Sequence, residues 1–492
     1  IEQVTDGTPI NSPIESNDQN RDLVLTGNDE DILVEVTGSP ETITIGNNST
    51  GGVPAIEAQA TGNSFLAIKN SDSASGVTSS ADATVIIEPE TGQNALQRAS
   101  GENLFFNVDA GTSSDLIVDI DGNVDMTDDP VSNPASIISA ALLSGDASIE
   151  LSGDTIKSNI VVELGGMATT AAEAKVVFDG DATQTVTGDV LTLGPSGSAL
   201  DRNTVVDVNN TASSGDGVIV NGNIGSETGT AFIDAPELGS VGAVGSLLLT
   251  GTTADTELTA KGNVDAGEIV LDNAADVDAN FEGDVTANAL VFDSNSSGNL
   301  TATFNGGGEQ SVNADIVAAA SDAMSPDGKI VVDGTDTDVT FEGTIGGTTE
   351  TFSDFTVDGT SSNFNEVSTL DVTNGAAATL NDNADFNGNV NITNTADLTV
   401  VGNLTSSGTV ENDGTLTLKN ATNDATINNS GRLNIEVPLN NSSGTINLNA
   451  SGSGETVLGL KGINAGETAI SNGEVNLTGN AKVLLDPTLE SG

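Results

Sequence analysis

Short apolar runs alternate with polar residues along most of the 492-residue chain. Val, Ile, Leu, Phe and Thr form the runs, for example at residues 116–118, 290–292 and 446–448, and Asn-Gly, Asp-Gly and Ser-Gly pairs separate them. Between the turn residues, apolar and polar positions alternate with a period of two, and this pattern predicts half-buried β-strands. Helical patterns occur only in three short segments, 135–144, 167–175 and 316–324. We therefore predict an all-β protein with a few helical turns.

One long cassette occurs twice in the chain. Residues 178–190, FDGDATQTVTGDV, align without gaps to residues 304–316, FNGGGEQSVNADI, and the likeness continues downstream in both copies. Internal repetition of this kind is typical of solenoids, in which each coil buries its apolar face against its neighbours. Matched apolar positions should occupy matched core sites. The side chains predicted to face inward are Phe178, Val186, Val190, Phe304, Val312 and Ile316.

A shorter unit recurs more often: an apolar residue, any residue, Gly, then Asn, Asp or Thr, then Val, Ile or Leu. It occupies residues 120–124, 186–190, 281–285, 386–390 and 400–404. Glycine permits a positive φ at a corner, Asn and Asp tolerate one, and the flanking apolar residues can enter a core. Such corners suit the coils of a β-solenoid, which the repetition favours from about Asp179 onward. Hairpin turns of a β-sandwich are the alternative.

The last third of the chain has the most regular pattern. Paired inward positions are separated by glycine turns, and Asn and Thr fill the remaining positions, where amide and hydroxyl ladders can form between coils. These pairs are Leu398/Val400, Leu416/Leu418, Leu433/Ile435 and Ile446/Leu448. The predicted organisation is an N-terminal β-rich domain at 1–110, a duplicated cassette region at 111–360 and C-terminal β-solenoid-like repeats at 361–492.

Charge and missing residue types exclude several functions. The chain has 72 acidic and 12 basic residues, a formal net charge of −60, and no His, Cys, Trp or Tyr. Zinc sites of the usual kind, cysteine nucleophiles, Ser-His-Asp triads and disulfides are therefore excluded. Nucleic acid is not an expected partner, because a phosphate backbone requires clustered Lys and Arg. A β-helical polysaccharide lyase or glycosidase is the enzymatic alternative, but no catalytic constellation is recognisable, so we predict that the chain is not an enzyme.

Two acidic clusters are candidate cation sites. Alternate residues in an extended segment point to one side, which can gather the oxygen ligands that calcium prefers. The first cluster is not an EF-hand, because Gly122 stands at loop position 4 and Pro130 replaces the closing Glu. A solvated acidic face is the alternative and is favoured for each cluster singly, although calcium is expected somewhere on the chain. The candidate ligands are Asp119, Asp121, Asn123 and Asp125, and Asp333, Asp336 and Asp338.

The corner unit, the duplicated cassette and the tail rich in Asn, Thr and Gly resemble bacterial autotransporter passenger domains and related surface-layer proteins, including the large rickettsial outer-membrane passengers. The resemblance covers roughly residues 170 to 492. It implies a secreted β-helical or β-sandwich protein that forms a surface coat or adheres. Since residue 1 is Ile and no basic segment precedes an apolar one, we expect that a signal peptide has been removed; a shortened chain is the alternative.

These observations predict an extracellular structural protein on a bacterial cell surface. It would self-assemble into a surface layer or filament with the help of a divalent cation, and calcium is the predicted ion. The expected partner is a second copy of the chain, with a surface glycan or a lipid anchor as a further candidate. No transmembrane segment is expected, because the most apolar helical candidate, residues 135–143, is too short. An adhesin passenger domain that binds host or environmental surfaces is the alternative.

Overall fold

The structure is a computed structural model of the chain. It divides into two compact units, Ile1–Ile269 (unit 1) and Val270–Gly492 (unit 2). The described residues are 2–4, 23–25, 31–35, 41–46, 54–58, 63–69, 82–98, 103–110, 115–126, 136–141, 145–164, 172–194, 203–210, 217–225, 240–242, 244–251, 255–273, 276–293, 300–306, 309–319, 327–332, 338–341, 344–345, 354–359, 364–367, 369–372, 377–380, 384–386, 389–392, 397–406, 408–419, 422–436, 438–449, 456–461, 468–479 and 481–486.

Unit 1 is built from coils of three short strands, and equivalent strands of successive coils pair in three ladders. The first ladder contains β4 (Glu41–Gly46), β7 (Ala83–Glu88), β10 (Leu116–Ile120), β13 (Ala147–Leu151), β16 (Ala174–Phe178), β19 (Thr204–Val208) and β22 (Val244–Gly251). The second contains β1 (Glu2–Val4), β2 (Leu23–Leu25), β5 (Ile56–Ala58), β8 (Leu96–Arg98), β11 (Val124–Asp125), β14 (Thr155–Lys157), β17 (Gln184–Thr187), β20 (Val218–Val220) and β23 (Thr256–Ala260). The third contains β3 (Asp31–Glu35), β6 (Asn63–Lys69), β9 (Asn103–Ala110), β12 (Ser136–Ala141), β15 (Asn159–Leu164), β18 (Val190–Gly194) and β21 (Ser240–Gly242).

Unit 2 has the same plan with shorter coils, and the residues of β24 (Val264–Asn273) belong partly to each unit. Its longest ladder contains β25 (Val277–Phe281), β27 (Leu300–Phe304), β29 (Asp327–Val332), β32 (Asp354–Gly359), β35 (Ala377–Leu380), β38 (Asp397–Val400), β41 (Thr415–Leu418), β43 (Arg432–Ile435), β46 (Thr456–Lys461) and β49 (Ala481–Asp486). A second contains β26 (Val285–Asp293), β28 (Glu309–Ala318), β31 (Thr344–Ile345), β34 (Thr369–Val372), β37 (Val390–Ile392), β40 (Thr409–Asn412), β42 (Thr426–Asn429), β45 (Thr445–Asn449) and β48 (Glu474–Thr478). The remaining strands are β30 (Asp338–Phe341), β33 (Phe364–Val367), β36 (Ala384–Phe386), β39 (Leu404–Ser406), β44 (Leu439–Asn440) and β47 (Ile470–Ser471).

Both units are parallel β-solenoids. The strand pairs described above are parallel in both units, except for β18 with β21, which is antiparallel. Equivalent residues of successive coils are as few as 27 apart in unit 1 and as few as 17 apart in unit 2. A β-sandwich is built from antiparallel sheets, so the sandwich alternative is wrong and the all-β solenoid prediction is confirmed. The predicted boundary at residue 110 falls at the end of β9, whose partner β12 follows it in the same ladder.

The core lies inside the coils, and the inward positions predicted from the cassette are confirmed. All six predicted residues, from Phe178 to Ile316, are fully buried, and the four C-terminal pairs from Leu398/Val400 to Ile446/Leu448 are at most 1% exposed. Leu398, Leu416 and Leu433 stack in one ladder, whereas Ile446 stacks on Ile427 in the neighbouring one. Three of the four pairs therefore lie in one ladder, and the pair Ile446/Leu448 lies in the neighbouring one.

The helical predictions are wrong for the residues that the structure describes in these segments. The described part of 135–144 is strand β12, and that of 316–324 begins inside strand β28. In the segment 167–175, residues 167–171 lie outside the described residues and Ala174 begins β16. Ala-rich sequence favours a helix locally, but β12 has a parallel partner on each side, β9 and β15. Ladder hydrogen bonds and side-chain burial outweigh an intrinsic preference of tenths of a kcal/mol per residue.

The corner unit has a function that the sequence pattern did not reveal. In all five copies the Oδ1 of the fourth residue accepts the backbone N–H of a residue in the next coil, over 2.8–3.1 Å. Asn and Asp were expected there because they tolerate a positive φ, but the only described non-glycine residue with a positive φ is Asn472. The acceptor oxygen therefore explains these residues, because each one joins two coils. The five acceptors are Asn123, Asp189, Asp284, Asn389 and Asn403.

Glycine in the corner unit is required by backbone crowding between coils. Gly188 has a φ of 142°, and a Cβ built on it would lie 2.3 Å from the carbonyl oxygen of Ser158. At Gly222, one coil further, a Cβ would lie 2.2 Å from the carbonyl oxygen of Gly188. A positive φ is thus one reason for glycine, and close approach of successive coils is the other.

The duplicated cassette contains a buried glutamine with the same contacts in both copies. Gln184 donates from Nε2 to the carbonyl oxygens of Leu151 and Gly153, at 2.7 and 3.1 Å, and accepts the N–H of Gly180 at 3.0 Å. Gln310 donates to the carbonyl oxygens of Phe281 and Gly283 and accepts the N–H of Gly306. Both side chains are at most 3% exposed. The amide therefore satisfies backbone groups that a turn between strands leaves unpaired.

Amide ladders are present between the coils of unit 2, as predicted. Asn447 Nδ2 donates to Asn428 Oδ1 at 2.9 Å, and Asn476 Nδ2 donates to Asn447 Oδ1 at 3.0 Å. In a second contact of this kind, Nδ2 of buried Asn423 donates to Oδ1 of buried Asn441 at 2.7 Å. An amide carries both donor and acceptor, so identical residues stacked one above another satisfy each other.

Replacing Asp189 tests the corner contact. Asp189→Ala removes the acceptor for the Asn223 N–H and should lower the free energy of unfolding by about 1 kcal/mol. Asp189→Asn keeps Oδ1 and should remain within about 0.5 kcal/mol of the parent chain, as on the surface in general. Chemical denaturation of the three chains measures both values. Equal destabilisation by the two substitutions would contradict the acceptor role.

Candidate functional site

The first predicted cation cluster is divided by a corner of the solenoid. Asp119 lies on β10, Asp121 is exposed in the turn, and Asn123 accepts the Thr155 N–H at 2.9 Å. Asp125 lies on β11, where its carboxylate pairs with Lys157 at 3.4 Å. The extended segment expected from the alternation is therefore interrupted at Gly122. Ser152 Oγ donates to Asp121 Oδ1 at 3.2 Å, so three of the four side chains already have protein partners.

The second predicted cluster lies mostly outside the described residues. Asp333 and Asp336 are among the residues that the structure does not describe, and Asp338 begins β30, where its backbone is in register with Glu309. Within the part of the chain that is described, no group of three or more acidic side chains is arranged to hold a metal ion. Calcium binding stays a prediction.

Acidic side chains gather on the outer surface of the first ladder of unit 1. This acidic face consists of Glu88, Asp119, Asp121, Glu150 and Asp179, which come from β7, β10, β13 and β16 and the turns that follow. Parallel register places Asp119 directly beside Glu150. Adjacent parallel strands are about 4.8 Å apart, so carboxylates at equivalent positions of neighbouring coils repel each other.

Burial, together with this crowding, raises the pKa of three carboxyl groups of the acidic face. Burial raises the pKa of Asp119 to about 6, with repulsion from Glu150, Asp179 and Asp121 adding to the rise. Burial also raises the pKa of Glu150, where Asp179 adds to the rise and Lys175 opposes it. Burial likewise raises the pKa of Asp179. Asp119, Glu150 and Asp179 therefore bind protons more tightly than free carboxyl groups do, and their repulsion grows as pH rises towards neutral.

A second acidic pair lies on the third ladder. Asp109 on β9 and Glu163 on β15 are both in register with Ala140, the residue between them on β12. Burial raises the pKa of Glu163 to about 7, and Asp109 adds to the rise. Sequence reasoning missed this pair because Asp109 lies in the region where no repeat was recognised. The coil register would have been needed to align the two residues.

One lysine pairs with a buried carboxylate close to the acidic face. Lys175 Nζ on β16 lies 2.6 Å from Asp207 Oδ2 on β19, and the two side chains are 27% and 8% exposed. The hydroxyl of Thr250 donates to the other oxygen, Oδ1, at 2.5 Å. Both oxygens of Asp207 are thus engaged, and strands β16, β19 and β22 are connected through one carboxylate.

The last two strands of unit 2 form an apolar edge. β48 and β49, called here the C-terminal edge, each pair on one side, with β45 and β46, and no described strand pairs with the other side. Val475, Leu477 and Val483 are 38%, 59% and 47% exposed. Their register partners one coil earlier are buried core residues: Ile446, Leu448 and Leu458. The exposed side chains are therefore core-type residues that no coil covers among the described residues.

Comparison with known proteins does not assign the chain. It matches no protein-family model, no curated protein and no solved structure. No described segment forms a helix that is long and apolar enough to cross a membrane. The fold defines the class, a parallel β-solenoid with short coils, and function must be inferred from its surfaces.

Replacing Asp119 tests the electrostatics of the acidic face. The folded state raises the pKa of Asp119 from 3.8 to about 6, so the folded chain binds this proton more tightly than the unfolded chain. Asp119 therefore costs stability as pH rises through the window from about 4 to 6, and the full cost remains above it. Asp119→Asn should be more stable than the parent chain at neutral pH, with the difference vanishing near pH 4.

Thermal unfolding at a series of pH values measures this difference. Asp154→Asn is the control, because Asp154 is an exposed residue of the same unit outside the acidic face. A stability difference that is the same at all pH values, or equal for the two variants, would contradict the electrostatic explanation.

Proposed function

We propose that the chain is an extracellular structural protein of a bacterial surface that self-assembles into a layer or filament. The observation that carries the proposal is the C-terminal edge, where Val475, Leu477 and Val483 expose core-type side chains on strands that have a described partner on one side only. An unpaired strand edge with apolar side chains is a template for another chain. Water can form hydrogen bonds with the backbone of this edge, but the three apolar side chains then remain exposed, which is unfavourable.

A second copy of the chain suits this edge. A solenoid grows by adding coils, and an incoming coil would extend the β45–β48 and β46–β49 ladders with hydrogen bonds of the same kind. It would also cover the three exposed side chains. If the edge of one copy binds a different edge of the next, the contact is head-to-tail, and repetition of such a contact gives an open filament.

The composition supports a surface location. A chain without cysteine does not depend on redox conditions for its stability, and a net charge of −60 keeps it soluble in salty water. The resemblance to autotransporter passengers and surface-layer proteins agrees with this location.

Divalent cations are proposed to assist assembly. Copies that each carry a formal charge of −60 repel one another, and physiological salt screens this only beyond about 8–10 Å. Calcium bridges carboxylates with a tolerant shell of about 6–8 oxygens. The acidic face of unit 1 and the clusters around Asp119 and Asp333 are the regions where neutralisation would have the largest effect.

Disrupting the C-terminal edge tests the assembly surface. Leu477→Lys places a charge where an incoming coil would pack and should abolish the assembly of the full chain. Thr478→Lys is the matched control, because Thr478 is the exposed neighbour on the outer side of β48. Sedimentation velocity and negative-stain microscopy over a concentration series report the outcome.

Two results would contradict this proposal. If Leu477→Lys assembles like the parent chain, another surface carries the contact. If the parent chain stays monomeric at all concentrations in calcium, the adhesin alternative is favoured, since a binding module needs its ligand rather than its own copies.

Removing calcium tests the role of the cation. Excess chelator at constant ionic strength should dissolve the assembly, and millimolar calcium should restore it, because bridging replaces carboxylate repulsion with coordination. Sodium at equal ionic strength is the control and should not restore it. An assembly that persists unchanged in chelator would show that strand pairing or apolar packing is sufficient.

A further inference from the structure

Lys175 and Asp207 are placed for a covalent contact between two coils of unit 1. Their strands, β16 and β19, are neighbours in the first ladder, and the register pairs Lys175 with Val205 and Val177 with Asp207. The two charged side chains are thus diagonal neighbours on the outer side of the ladder. The distance of 2.6 Å between Nζ and Oδ2 brings the amine nitrogen close to the carboxyl carbon, Cγ.

The surroundings of the pair exclude much of the solvent. Val177 and Val205, the register partners, are 8% and 5% exposed, and the Asp207 side chain is 8% exposed. Thr250 donates a hydrogen bond to Oδ1, which polarises the carboxyl group. Low water access matters, because a carboxylate and an ammonium in bulk water remain a hydrated ion pair, and excess water favours hydrolysis over condensation.

A proton carrier also lies near both partners. Glu173, two residues before Lys175, interacts electrostatically with Lys175 and with Asp207. Burial raises the pKa of Glu173, Lys175 opposes the rise, and Asp146 and Asp207 add to it. A carboxyl group that exchanges its proton closer to neutral pH can transfer protons between the amine and the departing oxygen.

We infer that Lys175 and Asp207 condense into an amide that covalently links β16 to β19. The Lys175 ammonium first gives one proton, through Glu173, to a carboxyl oxygen of Asp207. The freed lone pair of Nζ then attacks Cγ, a C–N bond forms, and the bond from Cγ to that oxygen breaks. The ammonium supplies both protons that leave with this oxygen as water, so an ammonium and a carboxylate become one amide and one water. No oxidant or further reactant is needed.

Such a bond would give a cysteine-free chain a permanent connection between coils. It closes the segment between Lys175 and Asp207, which restricts the unfolded chain as a disulfide does. Unlike a disulfide, an amide does not depend on the redox state of the surroundings. This inference concerns unit 1 alone and holds whether or not the C-terminal edge mediates assembly.

Intact mass spectrometry of the full-length chain tests the inference. The expected mass is lower than the sequence mass by one water molecule, and proteolysis should yield a branched peptide that joins Lys175 to Asp207. The matched control is Lys175→Arg, which keeps the positive charge and the ion pair but has no amine to form the amide. Its mass should equal the sequence mass.

The control also distinguishes the amide from ring closure at Asp-Gly sequences such as Asp179-Gly180, which likewise releases water. A parent chain with the full sequence mass overturns the inference and leaves Lys175–Asp207 a simple ion pair. A water loss that persists in Lys175→Arg, or a branched peptide that is absent, overturns it as well.

Discussion

Parallel, in-register stacking of coils is the constraint on which the rest of this structure depends. Each coil places its residues directly above the equivalent residues of the previous coil, about 4.8 Å away. The neighbour of a strand side chain is therefore the residue at the equivalent position of the next coil, and the sequence around it does not determine this neighbour. Apolar residues such as Phe281 and Phe304 stack into a continuous core, with ring centroids 5.5 Å apart. Corner oxygens such as Asp189 Oδ1 meet the N–H of the next coil for the same reason.

The features that the sequence predicted are those that a repeat makes visible. The inward positions of the cassette, such as Phe178 and Phe304, were predictable because both copies carry the same apolar residue at the same offset. The amide ladders were predictable because Asn recurs between the apolar pairs. The segment 135–144 was misread, because its Ala and Ser residues carry no sign of the strands that flank β12 on both sides.

The electrostatic contacts were not predictable, for a physical reason. Lys175 and Asp207, like Asp109 and Glu163, become neighbours only through the coil register. In unit 1 the coil length varies, with equivalent residues 27 apart at one point and 41 apart at another. Insertions at the turns change the spacing without changing the stack, so a fixed sequence period cannot align these residues. Once the register is known, the pairs follow directly.

Stacking stabilises a column of amides but not a column of carboxylates. Unit 2 provides the example of the amides, and unit 1 provides that of the carboxylates. Asn428, Asn447 and Asn476 form a column in which each amide donates to the one before it, so repetition stabilises the stack. A carboxylate only accepts hydrogen bonds, so Asp119 beside Glu150 gains nothing from repetition and loses stability near neutral pH. Carboxylates are favourable in the stack where a backbone N–H faces them, as at Asp115 and Asp146. Elsewhere they require a proton, a lysine or an external cation. A solenoid with 72 acidic residues is therefore sensitive to pH and to ionic conditions, because protons and cations reduce the repulsion between stacked carboxylates.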